Sequence, residues 1–334
     1  MRFLFAVVFL AALAWSGFWW VASSTVEKGL TGWLDARRAD GWVVAYDSLD
    51  TEGYPSRLDT TITGLELADP ATGVSWTAPM FQILALSYKP HHVIVVWPHD
   101  QTWASPFETV AVTSETMRGS AVFEPGPSLA LDRSTVEFAG VGLSSSAGWT
   151  ASLAKGQLAV RRTPAIQNSY DFAFETTDLR LPEGMAKSLD RPGIAGDVVE
   201  RLSAQATVVF DAPWDRFAVE KRRPQPRQIH LDLARATWGE LDLKIAGAVD
   251  VDTDGSPTGE MTVKATNWRE ILDLAVAGGA IPESIAPLIE SGLKSLARLS
   301  GNPDTIDVPI QFAKGRMTLA GLVPLGPAPR LVLR

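Results

Sequence analysis

The chain has no cysteine. That absence excludes disulfides, thiol nucleophiles, CxxC redox motifs and thiolate-bound metals in one step. Basic residues are in deficit, with 30 Lys and Arg against 38 Asp and Glu, a formal net charge of -8 and a pI near 5.1. A nucleic-acid partner needs a clustered basic surface, so no nucleic-acid role is expected. Histidine is scarce too, at four residues, three of them being His91, His92 and His99. Neighbours on a strand point to opposite faces, so His91 and His92 are read as polar strand ends rather than ligands of one ion.

What the chain does have is an uncharged, mostly apolar run over residues 3–26, preceded by Arg2. At about 1.5 Å per residue this run crosses a hydrocarbon core of roughly 30 Å as a helix. Trp15, Trp19 and Trp20 cluster toward its far end and are expected to be membrane-interface anchors, since indoles favour that boundary. Arg2 and the free amino group place the N-terminus in the cytoplasm by the positive-inside bias, which predicts a single-pass inner-membrane protein with residues 27–334 in the periplasm. Ala22 and Ser24 would allow signal peptidase to cut before Thr25. The bulky Trp19 and Trp20 beside that site, and a run longer than the about 7–15 residues of a signal segment, favour an uncleaved anchor over residues 1–26.

Beyond the anchor, residues 26–39 read as a short amphipathic helix with Leu30, Trp33 and Leu34 to one side. From Gly41 the period changes to two. Trp42, Val44 and Tyr46 share one strand face, and Leu58, Thr60 and Ile62 share the next. The pattern recurs to residue 266 with turns such as Asp69-Pro70-Ala71-Thr72-Gly73, which predicts a mainly β fold, a long antiparallel meander. Helices are the minority: residues 194–203, residues 268–277 behind the cap residue Asn267, and residues 282–299, where Pro287 should end or kink the first turn. The last two are expected to cover the sheet. Strands over 306–312 and 316–322 precede a proline-rich end at 324–329. Residues 27–334 form one β-rich domain with a candidate seam near 182–192.

Motifs with chemistry mostly fail on inspection. Asp250, Asp252, Asp254 and Gly255 mimic the start of an EF-hand loop, but the twelfth position is Met261, so a β-hairpin turn is expected. Ser152-Leu153-Ala154-Lys155 has no K-T-G triplet to complete it, and Ser144 and Ser146 each meet only half of a G-x-S-x-G elbow. No catalytic residue, cofactor site or metal site is assigned. Lys221, Arg222, Arg223 and Arg227 form a basic run that reads as a solvated loop or as a contact for anionic lipid headgroups.

Three segments together carry a resemblance: Gly53-Tyr54-Pro55, the stretch DTDGSPTGEMTVKATNW at 252–268, and Phe312-Ala313-Lys314-Gly315-Arg316 through Pro324-Leu325-Gly326-Pro327-Ala328-Pro329. On these the chain resembles the bacterial domain-of-unknown-function family 2125 over nearly its whole length. More loosely, an anchor followed by a β meander is similar to AsmA-like envelope proteins, which implies a long, curved antiparallel sheet, open and groove-forming, with an apolar inner face and a role in phospholipid movement or outer-membrane homeostasis. The expected function is non-enzymatic: binding membrane lipid or another hydrophobe in an apolar groove. The alternatives are an envelope scaffold that docks a protein partner and, last, an envelope hydrolase.

Overall fold

The computed structural model describes all residues except 190–195, 221, 280, 300–301 and 334. The fold is mainly β, an antiparallel sheet with eighteen strands among the described residues and a long apolar helix at the N-terminus. Two compact units form, Met1–Pro125 with Val136–Gly148, and Gly126–Thr135 with Trp149–Arg334. Residues 182–192 lie within the second unit, and 190–192 lie outside the described residues.

The first unit opens with α1 (Arg2–Ala39), a single helix of 38 residues. The expectation of an anchor followed by a separate helix is therefore corrected. Ser23 and Thr25, which could have capped a new helix, donate their hydroxyls back to Trp20 O at 3.0 Å and Val21 O at 2.7 Å, so the helical backbone runs through them. The apolar half stays exposed, while Ser23 and Leu34 are buried against the strands. Glu27 Oε1 accepts the Thr51 N–H at 2.9 Å, and Arg38 Nε donates to Val44 O at 3.1 Å.

The strands of this unit are β1 (Val43–Ala45), β2 (Ser48–Glu52), β3 (Arg57–Asp69), β4 (Val74–Leu86), β5 (Lys89–Val96), β6 (Asp100–Ala104), β7 (Thr109–Thr113), β8 (Thr116–Phe123) and β9 (Leu131–Ser145). The last of these crosses from one unit into the other. β3 and β4 pair along their length, and shorter strands share their outer edges: β1 and β2 along β3, β5 and β6 along β4. β7 continues the ladder from β6 to β9, and β8 pairs with β5. The interruptions fall in register. Asp47 separates β1 from β2 opposite Gly64, and Glu115 separates β7 from β8 opposite Gly140. A Cβ at Gly64 would sit 2.2 Å from Asp47 Oδ2, and one at Gly140 2.6 Å from Glu115 Cγ. With φ of +60° and +58°, both positions suit glycine. Leu58, Thr60 and Ile62 share one buried face, as their spacing predicts.

The second unit is a meander in which each strand pairs with the next: β10 (Thr150–Arg162), β11 (Ser169–Arg180), β12 (Val198–Phe210), β13 (Pro226–Trp238), β14 (Leu241–Val251), β15 (Pro257–Thr266), β16 (Thr305–Ala313), β17 (Arg316–Leu319) and β18 (Val323–Pro327). Its helices are α2 (Glu183–Leu189), α3 (Arg216–Glu220), α4 (Trp268–Ala277) and α5 (Ala286–Leu299). Of the helix expected over 194–203, residues 194 and 195 lie outside the described residues, and the part from Val198 on is corrected to the start of β12, because Val198 and Val199 enter the ladder opposite Arg180 and Leu179. The proline-rich end contains β18 instead of only a tail. Pro324 sits opposite Thr318 on this terminal strand, where a missing N–H is tolerated. Pro287 neither ends nor kinks a helix, because α5 starts at Ala286 and its first-turn N–H groups have no intrahelical partner anyway. α4 starts behind Asn267 as expected, but without the side-chain cap: Asn267 has φ of 56° and its amide donates to Glu240 O at 2.8 Å.

The core of this unit lies under α4 and α5. Trp268, Leu272, Ile289, Leu293 and Ala297 from the helices pack on Ala265, Ile306, Val308 and Leu319 from the sheet.

Candidate functional site

In the second unit the pairing register lines up apolar side chains across successive strands. Leu158 faces Phe174, Phe174 faces Ala204, Ala204 faces Ala234, and the row continues through Ile245 and Val263 to Val308. A parallel row runs from Val160 through Phe172, Ala206 and Leu231 to Gly247 and Met261. Since alternate residues share a face, both rows lie on one side of the sheet. A bulge at Asp232 keeps them aligned. Leu231 stays opposite Ala206 on the apolar side, whereas Leu233 faces Gln205 on the other side and is 40% exposed.

This face is covered unevenly. At the β14–β18 end the helices bury it, leaving Val308 3% exposed. Beside β10–β12, Tyr170, Phe172, Phe210 and Trp214 form an aromatic knot with ring centroids 5.6–6.2 Å apart. Between knot and helices, Leu158 is 40% and Phe174 36% exposed, and Val160, Leu202 and Ala204 are only half-buried. A contiguous apolar strip left part-open in this way has the character of a binding surface.

The opposite side of the same strands is polar. A cavity of about 520 Å³ there is lined in part by Arg161, Asp171, Gln205, Thr207 and Asp232. Asp171 accepts hydrogen bonds from Thr163 Oγ1 at 2.7 Å, Thr207 Oγ1 at 3.0 Å and Arg161 Nε at 2.9 Å. Burial pushes its carboxyl up, but the bonds from Thr163, Arg161 and Thr207 and the Arg161 charge outweigh that and hold it below the usual carboxylate range. A carboxylate kept ionised and already bonded on both oxygens acts as a strut, not as a general acid.

In the first unit, Trp76, Phe81, Trp97 and Trp103 stack edge-to-face or offset with centroids 5.4–5.9 Å apart. The turn before β3 docks on α1. Trp15 Nε1 donates to Pro55 O at 2.9 Å, Trp19 Nε1 donates to Arg57 O at 2.7 Å, and Ser16 Oγ and Tyr54 OH are 2.8 Å apart. Two of the three expected interface tryptophans thus hold the Gly53-Tyr54-Pro55 turn, while Trp20 is 68% exposed.

The other sequence candidates are scattered. Arg222 and Arg227 both reach Asp211, the latter at 3.2 Å, and Arg227 also donates to Asp252 O at 2.8 Å. Arg223 is exposed, and Lys221 lies outside the described residues. The acidic segment is a hairpin turn between β14 and β15, with Asp252 Oδ1 accepting the N–H groups of Asp254 and Ser256 at 3.2 and 2.9 Å. His91 and His92 lie on β5, and His99 Nδ1 is 2.8 Å from Ser114 O. Ser152 and Lys155 sit on β10, and Ser146 Oγ accepts the Thr109 N–H at 2.9 Å. The residues that matter most for the apolar strip, Leu158 and Phe174, carry no motif. Alternation within β10 and β11 signals them, but only the register joins them.

No curated protein and no solved structure matches the chain. Residues 19–329 match the family described as "Uncharacterized protein conserved in bacteria (DUF2125)", and with every described strand and about half of α1 inside that match, the chain belongs to this family.

Proposed function

We propose that this protein is a non-enzymatic, single-pass inner-membrane protein whose periplasmic sheet binds lipid or a similar hydrophobe. One observation carries the reading: an apolar strip in continuous register from β10 to β16 that, among the described residues, the buried helix–sheet cluster covers only toward β14–β18. A packed core would bury Leu158 and Phe174, whereas a surface with no partner would break the row with polar residues. The helix α1 supports membrane attachment, and Arg2 ahead of its apolar half supports a cytoplasmic N-terminus. Arg222 and Arg227 are engaged with Asp211, which favours the apolar strip over the basic run as the lipid-binding surface. Native mass spectrometry of the detergent-extracted chain tests the reading. Lipid adducts are expected, and a spectrum free of them would overturn it in favour of a scaffold that docks an envelope protein.

A further inference from the structure

Trp15 stands thirteen residues after Arg2, which is about 20 Å of helix. A hydrocarbon core needs roughly 30 Å. With Arg2 at the cytoplasmic boundary, Trp15 therefore lies about 10 Å short of the opposite boundary, and so does whatever is bonded to it. What is bonded to it is the turn at residues 53–57, through Trp15, Ser16 and Trp19. Glu27, the first acidic residue of α1, marks the far limit: it holds Thr51, and at about 37 Å from Arg2 it stands beyond the core. The strand end between Thr51 and Pro55 must then run from water into the leaflet.

The turn is built for such a setting. Backbone carbonyls that face lipid without a partner are costly. Here Gly53 O accepts from Arg57 N at 2.8 Å, Ser56 O accepts from Ser87 N at 2.9 Å, and the two indoles serve Pro55 O and Arg57 O. Pro55 has no N–H to satisfy. Ser87, 2% exposed, also donates its hydroxyl to Pro55 O at 3.3 Å, which ties the β4–β5 turn to the same point. At that end Tyr54 and Tyr88 are each 56% exposed, Lys89 is an exposed cation, and Arg57 is exposed while pairing with Asp59 at 2.7 Å. Tyrosine rings with cations around them match the headgroup layer.

We propose that this end of the first unit's sheet, residues 53–57 with 87–89, is seated in the headgroup and upper acyl region of the leaflet on the domain side. The inference rests on the membrane-spanning reading of α1. The test uses the full chain in phosphatidylglycerol–phosphatidylethanolamine vesicles, and the absence of native cysteine makes single labelling sites available. A polarity-sensitive fluorophore is attached in turn to Tyr88→Cys, Lys89→Cys, Leu13→Cys on the helix, and Ala71→Cys in the β3–β4 turn at the other end of the sheet. Lipids carrying nitroxide near the top of the acyl chain serve as quencher, and lipids carrying it near the chain end serve for position 13, which by the same rise stands about 16 Å from Arg2 and close to mid-bilayer. Emission at positions 88, 89 and 13 should be blue-shifted and largely lost to the quencher, with position 71 unaffected. Quenching at 13 but not at 88 or 89 overturns the inference while leaving the span intact. Quenching at 71 as strong as at 88 overturns it because the sheet would then lie flat on the bilayer, and no quenching at 13 removes the span and the inference together.

Discussion

Leu158 and Val308 occupy one row of one face, which allows the same substitution to report on how that face is covered. Val308→Asp places a carboxylate at a site 3% exposed under α5. The lost transfer energy of about 1.5–3 kcal/mol adds to several kcal/mol for an unpaired buried charge, a total of at least about 5 kcal/mol. Leu158 is 40% exposed, so Leu158→Asp loses only about 1–2 kcal/mol of burial, plus up to about 1 kcal/mol for aspartate in a strand, and the carboxylate keeps its water. The two variants should therefore differ by about 3 kcal/mol in guanidinium unfolding of the detergent-extracted chain, with the slope for Leu158→Asp unchanged. Leu158→Asp should also lose co-purified lipid while staying folded. Equal destabilisation at the two sites would mean that the strip is covered throughout, and lipid retained by Leu158→Asp would refute its role in binding.

Other consequences are open to direct measurement. Edman sequencing of the mature protein should read from Met1; a start at Thr25 would remove the contacts of Trp15 and Trp19 that hold residues 53–57. Calcium should leave the melting temperature unchanged, since Asp252 already accepts two backbone N–H groups and the twelfth loop position is Met261, whereas a real site at a hundredfold ligand excess would add about 2.7 kcal/mol. Asp171 and Asp242 feel burial that raises their carboxyls and stronger hydrogen bonds that lower them, from Thr163, Arg161 and Thr207 in the first case and from Lys244 and Arg235 in the second. Both have folded values below the unfolded one, so their stabilisation is complete above about pH 4 and fades as pH falls through the folded values. Asp171→Asn should flatten part of the acid limb of an unfolding-versus-pH curve, and an unaltered limb would contradict the assignment.

Much of this fold is legible in the sequence because its signals are local. Period-two alternation finds Leu58, Thr60 and Ile62, and helical spacing finds α4 at its observed bounds. Local signals also mislead where they overlap: Val198, Val199 and Leu202 have the spacing of a helix face, yet pairing with β11 makes them strand. Proline content concealed β18 because a terminal edge can do without the N–H. The apolar strip was out of reach for a different reason. Whether Leu231 or Leu233 joins it depends on the bulge at Asp232, and that bulge is set by what pairs across the strand.

The unbroken course of α1 has a mechanical side. A helix that continues from an apolar half into a half packed on β1–β3 has no joint at which the two can swivel. Over 38 residues it is a rod of about 57 Å, and an angle imposed at one end is delivered at the other. With the apolar half spanning a bilayer as proposed, a thinner or thicker membrane tilts it and the strands clamped to the rest of the rod turn with it. Membrane thickness thereby becomes a variable that sets the attitude of the first unit's sheet.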